Sequence, residues 1–216
     1  MKRIKIYGLL LNIFLLMFTS CSRAETPSVE GKEPSAERTE LLKDKKVLIV
    51  YLSRTKNTKA VAEIIHKQTG GDLVALELKT PYPADYKKAV DQVARENETG
   101  FLPPLKTTID SIEQYEVIFI GFPTWGMQLP PPMKSFLKQY DLSGKTVVPF
   151  NTNAGYGVGS SFETVKRLCP KSKVLEGFST KGGIERDGVL FVMEGDKEKQ
   201  VHTAILNWLS KIGFVK

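Results

Sequence analysis

Three polar segments of this chain combine residue types that bind phosphate groups and flat ligands. Residues 53–58 present hydroxyl, amide and cationic side chains immediately before a helix-like pattern. Residues 121–127 place a tryptophan among turn-forming residues, and residues 151–160 are rich in glycine and short polar side chains. Hydroxyls and unpaired backbone N–H groups bind anions, whereas a large aromatic ring stacks on a planar molecule. Together the three segments predict one small-ligand site.

The first segment has the features of a phosphate-binding loop. Its candidate ligand-binding residues are Ser53, Arg54, Thr55, Lys56, Asn57 and Thr58. The first N–H groups of a helix are unpaired and lie at the positive end of the helix dipole, so they attract phosphate oxygens. The spacing matches neither a P-loop nor a G-x-G-x-x-G fingerprint, which argues against a nucleoside triphosphate or a dinucleotide. An ordinary helix cap, made by Asn57 or Thr58, is the alternative.

The second and third segments supply groups for a flat ring. In the second, the candidates are Pro123, Thr124, Trp125, Gly126 and Met127. In the third, they are Asn151, Thr152, Asn153, Gly155, Tyr156 and Gly157. We expect Trp125 to stack on a planar ligand; a tryptophan that only closes the core is the alternative. Glycines in the third segment let backbone N–H groups approach a ligand closely.

Strand-like and helix-like patterns alternate through the body of the chain, residues 47–216. Predicted strands cover residues 47–52, 73–78, 117–122, 146–150 and 174–180, and predicted helices cover residues 59–68, 84–97, 133–139, 160–168 and 197–211. Such alternation indicates an α/β fold, with helices on both faces of a parallel sheet. Ligands of these sheets bind beyond the carboxyl ends of the strands, where all three polar segments lie.

The motif in residues 53–58 resembles the phosphate loop of the flavodoxin family, Ser-x-Thr-Gly-Asn-Thr, at every position except Lys56. The resemblance extends from about Val47 to the C-terminus. It implies a doubly wound five-stranded parallel sheet of order 2-1-3-4-5, with flavin mononucleotide (FMN) as cofactor. It also implies that Trp125 lies against the isoalloxazine ring and that the third segment meets the polar pyrimidine edge of that ring.

Lys56 stands where the family usually has glycine, which leaves two functions open. A lysine that must adopt a positive φ strains the loop by about 1 kcal/mol or more, whereas its ammonium group neutralises phosphate charge. One function is an FMN-binding redox domain, acting in electron transfer or as a reductase, with unknown electron donor and acceptor. The other is a flavodoxin-fold envelope binding or scaffold protein that has lost the cofactor. Residues 182–193 have no predicted role.

The first 46 residues differ in composition from the body. Residues 1–20 have a positive start and an apolar stretch, as signal peptides do, and residues 18–21 resemble a lipobox with Cys21 as the lipidated residue. Residues 21–46 lack aromatic side chains and predict a flexible tether. We expect an exported lipoprotein, anchored through Cys21 to the bacterial cell envelope membrane. A plain signal peptide that contains a cysteine, or a buried apolar helix, is the alternative.

Other chemistries have little support in the sequence. The 216-residue chain has two histidines and two cysteines, so we expect no metal site and no Cys–His nucleophile. Ser160 lacks a G-x-S-x-G context, and we assign no catalytic residue. The chain carries a net charge of +7, and its body has 22 Lys and Arg against 18 Asp and Glu. This diffuse excess does not predict nucleic-acid binding.

Overall fold

The computed structural model describes residues 39–216, so the predicted signal peptide, Cys21 and the first part of the predicted tether lie outside the described residues. The elements of this range are β1 Val47–Tyr51, α1 Asn57–Thr69, β2 Asp72–Ala75, α2 Tyr86–Thr99, β3 Val117–Pro123, α3 Pro131–Gln139, β4 Thr146–Asn153, α4 Ser161–Leu168, β5 Lys173–Val174, β6 Phe178–Lys181 and α5 Gly195–Lys211. Short 3-10 helices cover Ile112–Gln114 and Glu185–Asp187. Within residues 39–216, no helix has the length and apolar character needed to cross a membrane.

Strand β1 lies inside the sheet, and all five of its side chains are buried. It pairs in parallel with β2 and β3, so that Ile49 lies between Leu73 and Phe119. Beyond β3 come β4 and β5, which gives the order β2-β1-β3-β4-β5. The predicted α/β class and strand order 2-1-3-4-5 are confirmed. The continuous apolar run of β1 suits a strand that is covered on both faces by helices.

Each face of the sheet has its own core, because successive side chains of a strand point to opposite faces. On one face Ile49 packs with α1 and α5, in a cluster that includes Ile65 and Leu209. On the other face Leu48 packs with α3 and α4, in a cluster that includes Phe136. Helix α2 packs beside α3. Since β1, β3 and β4 are parallel, the segments that follow them meet at one edge of the sheet.

The predicted fifth strand, residues 174–180, is two segments rather than one. Strand β5 pairs with the start of β4, and β6 pairs with its end. The Val147 carbonyl accepts a hydrogen bond from the Leu175 N–H at 2.9 Å, so Val147 faces this edge strand. Pro149, two residues later, faces the same way. Because proline has no N–H to donate, the ladder is interrupted there.

Residues 39–46, expected as the end of the tether, pack onto the body instead. The Thr39 N–H donates to the Phe214 carbonyl at 3.1 Å, and the Thr39 hydroxyl donates to the Gly213 carbonyl. Leu42 is fully buried in the cluster with α1 and α5. The predicted tether is polar in overall composition, so its composition does not indicate that Leu42, near its end, is buried in the core. The packed body therefore includes residues 39–46.

Candidate functional site

Helix α1 begins with backbone N–H groups that have no partner. Within the described chain, the N–H groups of residues 55–58 donate no hydrogen bond. The following N–H, of Lys59, donates to Ser53 Oγ at 3.2 Å, and neither Asn57 nor Thr58, the caps of the alternative interpretation, fills that role. The unpaired groups lie at the positive end of a 13-residue helix. They form an anion-binding position.

Two hydroxyl groups at this helix start keep a proton that a ligand can accept. Thr55 Oγ1 accepts from Asn57 Nδ2 at 2.8 Å, which leaves the Thr55 proton free to donate. Thr58 Oγ1 and Thr152 Oγ1 are 2.8 Å apart, and both residues are buried. One hydroxyl of this pair donates to the other, so the second keeps its own proton. The N–H groups and hydroxyls together suit a phosphate.

Arg54 uses its guanidinium group to join three segments. Its Nε donates to Glu185 Oε1 at 2.7 Å, and its two Nη atoms donate to the carbonyls of Pro83 and Ala84 at 2.9 and 2.7 Å. The side chains of this ion pair are only 21% and 20% exposed. Because the carboxylate neutralises the guanidinium, Arg54 brings no free positive charge to the site.

Trp125 opens a two-residue turn at the end of β3. Its backbone N–H and carbonyl exchange hydrogen bonds with Gln128 at 3.3 and 3.0 Å. Between them Gly126 and Met127 have φ values of 56° and 58°, as a type I′ turn requires. A positive φ costs a non-glycine residue such as Met127 about 1 to 2 kcal/mol. Strain of this kind is concentrated at functional sites.

The indole of Trp125 is held from one side by Tyr82. The two rings meet edge-on, with centroids 5.3 Å apart. The Tyr82 hydroxyl donates to the buried carboxylate of Glu96. Burial, and then this hydrogen bond, raises the pKa of Tyr82. A protonated tyrosine therefore supports Trp125 throughout the physiological pH range.

The third segment is shaped by two asparagines. Strand β4 extends to Asn153, three residues beyond its predicted end. Asn151 is fully buried, and its Nδ2 donates to a β3 carbonyl and to Thr124 Oγ1, both at 3.0 Å. Asn153 Oδ1 accepts from the N–H groups of Gly155 and Gly157 at 2.8 and 3.2 Å. These bonds turn the backbone around Tyr156, a residue that is 67% exposed.

All three segments border one cavity of about 310 Å³ at the carboxyl edge of the sheet. The predicted residues that line it are Arg54, Thr55, Asn57, Thr58, Pro123, Thr124, Trp125, Gly126, Met127, Thr152, Asn153, Tyr156 and Gly157. Four predicted residues do not line it: Ser53, Lys56, Asn151 and Gly155. Ser53 and Asn151 brace the backbone behind the cavity, and Lys56 precedes the helix with its side chain exposed. The volume is that of a small-ligand site.

One side of the cavity is made by residues that the sequence analysis missed. They belong to the strap, which we define as residues 182–193, and include Gly182, Gly183, Ile184, Glu185 and Arg186. The Asn57 side chain holds the strap, because its Nδ2 donates to the Leu190 carbonyl at 2.6 Å and its Oδ1 accepts from the Val192 N–H at 3.1 Å. Gly182 and Gly183 directly follow the last strand at the carboxyl edge of the sheet. This pair of glycines is the sequence feature that could have indicated this side of the cavity.

Comparison with known proteins fits this arrangement. The family model described as flavodoxin matches residues 46–194, which is more than half of the chain. The chain belongs to the flavodoxin family. A flavodoxin of Synechocystis sp. is 27% identical over 122 residues, a match that covers 55% of this chain and 58% of that protein. The chain thus matches less than two thirds of the length of this flavodoxin.

Two solved structures are matched by this chain over almost their whole length. A protein of Bacteroides eggerthii assigned as a flavoprotein is 29% identical, with a TM-score of 0.63, over 78% of this chain and 98% of its own. A flavoprotein of Lactobacillus acidophilus, solved in complex with FMN, is 25% identical, with a TM-score of 0.56, over 67% of this chain and 98% of its own. The match therefore includes nearly the whole length of each of these two structures.

Proposed function

We propose that this flavodoxin-family protein binds FMN in the cavity between residues 53–58, Trp125 and Tyr156, and acts as a redox flavoprotein. One observation carries the proposal: unpaired helix N–H groups, a free Thr55 hydroxyl proton and two large aromatic rings border the same cavity. A phosphate needs the first two, and a flat ring needs the third. The FMN complex of the Lactobacillus acidophilus relative supports this choice of ligand.

The residues present fit FMN better than they fit a larger flavin. The cavity offers one anion-binding position, at the start of α1, whereas FAD carries a pyrophosphate and an adenosine that need further binding surface. Residues 55–58 and Thr55 Oγ1 would hold the phosphate, and Trp125 would lie against the ring. When bound, FMN supplies one-electron and two-electron transfer chemistry. The chain itself binds and orients the group.

A titration of flavin-free protein with FMN and with riboflavin tests this proposal. The Thr55→Val variant keeps the β-branched shape but loses the hydroxyl, and a charge-assisted hydrogen bond is worth about 1.5 to 3 kcal/mol. FMN affinity should fall about ten-fold or more, while riboflavin affinity stays the same. Thr203→Val, on the exposed side of α5, is the matched control. Absence of FMN binding at high micromolar concentration would favour the cofactor-free scaffold function.

We further propose that the protein is an exported lipoprotein held at the membrane by Cys21. The proposal is supported by the lipobox-like residues 18–21 at the end of an apolar segment. Several acyl chains on one cysteine anchor firmly, since each buried methylene contributes about 0.8 kcal/mol. Intact mass should show an acylated N-terminal Cys21, and Cys21→Ala should release the protein from membranes. An unmodified N-terminus elsewhere in the chain would contradict this proposal.

A further inference from the structure

Four hydrogen bonds form a closed cycle that joins the second and third segments of the candidate site. Asn153 Nδ2 donates to Asn151 Oδ1 at 3.2 Å, and Asn151 Nδ2 donates to Thr124 Oγ1 at 3.0 Å. Thr124 Oγ1 donates in turn to the Gly157 carbonyl at 3.1 Å. The Gly157 N–H donates to Asn153 Oδ1 at 3.2 Å, which closes the cycle. Hydrogen bonds linked in this way polarise and strengthen one another.

The cycle connects the two segments that carry the large aromatic rings of the cavity. Thr124 directly precedes Trp125, and Gly157 directly follows Tyr156. Both aromatic residues line the cavity of about 310 Å³. Asn151 is fully buried and belongs to β4, so the cycle is attached to the sheet. The positions of the two aromatic residues are therefore tied to the same strand.

Asn153 uses all the hydrogen-bonding groups of its amide inside the protein. Its Oδ1 accepts from the N–H groups of Gly155 and Gly157 at 2.8 and 3.2 Å. Its Nδ2 donates to Ser179 Oγ at 3.1 Å and to Asn151 Oδ1. An amide oxygen has two lone pairs and an amide nitrogen has two protons, so no group of this amide remains for a ligand. Asn153 can therefore act on a ligand through the loop that it holds.

The loop of residues 154–157 depends on this amide for its shape. Gly155 and Gly157 have φ values of 101° and 84°, and glycine loses more conformational freedom on ordering than any other residue. Within the described chain, the N–H groups of Ala154 and Tyr156 donate no hydrogen bond, whereas those of both glycines donate to Asn153 Oδ1. A loop that is already ordered loses less entropy when a ligand binds, which strengthens binding.

We propose that Asn153 is a positioning residue, which holds the loop with Tyr156 in place relative to Trp125 and thereby raises the affinity of the cavity for a planar ring. It has no part in phosphate binding, because no group at the start of α1 belongs to the cycle. The identity of the ring as isoalloxazine rests on the proposed function. Loss of the Asn153 amide should therefore weaken the ring-binding half of the site and spare the phosphate-binding half.

Titration of flavin-free, full-length protein with FMN and with riboflavin tests this division. Asn153→Ala should weaken both flavins by the same factor, about ten-fold, because both carry the ring. Asn153→Ser keeps a hydroxyl that can accept from a loop N–H, as serine does in turns, so its loss of affinity should be smaller. Thr55→Val should weaken FMN alone. Unchanged riboflavin affinity in Asn153→Ala would overturn the proposal.

A control variant, Ser179→Ala, separates positioning of the loop from a general loss of packing. It removes a partner of Asn153 Nδ2 and leaves both bonds from Asn153 Oδ1 to the glycine N–H groups intact. Both flavin affinities should stay within about two-fold of those of the parent protein. A loss of riboflavin affinity equal to that of Asn153→Ala would mean that the effect is general, and would overturn the proposal.

Hydrogen exchange in the flavin-free protein, followed by NMR, separates this proposal from the proposed function. The protection factors of the Gly155 and Gly157 N–H groups should exceed those of Ala154 and Tyr156 by about ten-fold or more, and Asn153→Ala should abolish this difference. Equal protection of the four groups in the parent protein would overturn the proposal even if FMN binds. A parent protein that binds neither flavin but shows the difference would overturn the proposed function and support the ordering of the loop by Asn153.

Discussion

Lys56 shows how a single residue can depart from a family motif and still keep its backbone geometry. Its φ of 66° and ψ of −6° lie in the left-handed region, where glycine is favoured. The lysine thus adopts the conformation that glycine usually supplies, at a cost of about 1 to 2 kcal/mol. Its side chain is exposed and does not line the cavity. The surrounding loop maintains this strained backbone conformation, so the anion-binding N–H groups at the start of α1 keep their positions.

Replacing Lys56 should separate strain from charge. Lys56→Gly relieves the left-handed strain but adds about 0.5 to 1 kcal/mol of unfolded-state entropy, so urea unfolding should show a gain of at most about 1.5 kcal/mol. Lys56→Asn removes the same charge and tolerates the same φ. Both variants should bind FMN about two- to five-fold more weakly at low salt, because a distant positive charge is lost. At about 1 M salt the three proteins should bind alike.

A tighter FMN complex in Lys56→Gly alone, at any salt concentration, would contradict this expectation. That result would mean that the lysine distorts the phosphate loop. Fluorescence titration of all three proteins at the two salt concentrations gives the comparison.

Cys169 makes the stability of the protein sensitive to alkaline pH. Burial raises the pKa of its thiol to about 11 from an ordinary value of 9.0. Between these pH values the unfolded chain releases a proton that the folded chain retains. The contribution of this thiol to the free energy of unfolding is therefore complete below about pH 9 and is lost as pH rises toward 11. Urea unfolding at pH 8 to about 11 should show a flatter decline for Cys169→Ala than for the parent protein. Parallel declines would show that Cys169 does not contribute.

Among the elements, the strap is the one that joins the phosphate loop to the far end of the chain. Asn57 is 2% exposed and makes three hydrogen bonds of 3.1 Å or less, to Thr55, Leu190 and Val192. Arg54 adds the ion pair to Glu185. The first turn of α1 therefore holds a segment about 130 residues away in sequence. The first turn of α1 therefore carries the anion-binding N–H groups and also the Asn57 side chain that holds the strap.

Removal of the Asn57 side chain should loosen the strap. Asn57→Ala leaves the Leu190 carbonyl and the Val192 N–H without their partner, so unfolding free energy should fall by about 2 to 3 kcal/mol. Hydrogen exchange should become faster in residues 184–193 and remain unchanged in β3. Asn207→Ala, at an exposed position of α5, is the matched control and should have little effect. Protection of the strap equal to that of the parent protein would contradict the role assigned to Asn57.

At the scale of the whole molecule, the core extends beyond the repeated strand and helix units. Leu42 fills the cluster formed by β1, α1 and α5, and Thr39 bonds to the C-terminal residues Gly213 and Phe214. The two ends of the described chain are thereby fixed to each other. A chain shortened to begin at Val47 would expose the surface that Leu42 covers.

Two neighbouring leucines allow this packing to be measured directly. Leu42→Ala should lower the free energy of unfolding by about 2 to 5 kcal/mol, because it leaves a cavity in a buried cluster. Leu41→Ala is the matched control: Leu41 is 51% exposed, and its loss should cost less than about 1 kcal/mol. Both values come from urea unfolding at neutral pH. Similar small losses in the two variants would mean that residues 39–46 do not stabilise the body.

The sequence by itself determined the α/β alternation, the strand order implied by the motif, and the three segments that line the candidate site. Each of these features is local, because the periodicity of side chains and the chemistry of a six-residue loop are read within one element. Two predictions from local sequence patterns were wrong. The predicted fifth strand is divided where it meets Pro149, and the end of the predicted tether packs onto the body through Leu42.

Only the tertiary structure decided which distant groups meet. The Arg54–Glu185 pair and the bonds from Asn57 to the strap each join residues that are far apart in sequence. A propensity or a motif does not specify such contacts, because they depend on how whole elements pack and on which polar groups that packing leaves to be satisfied. The same packing gives the Arg54 guanidinium a carboxylate partner and gives the Asn57 amide two backbone partners in the strap.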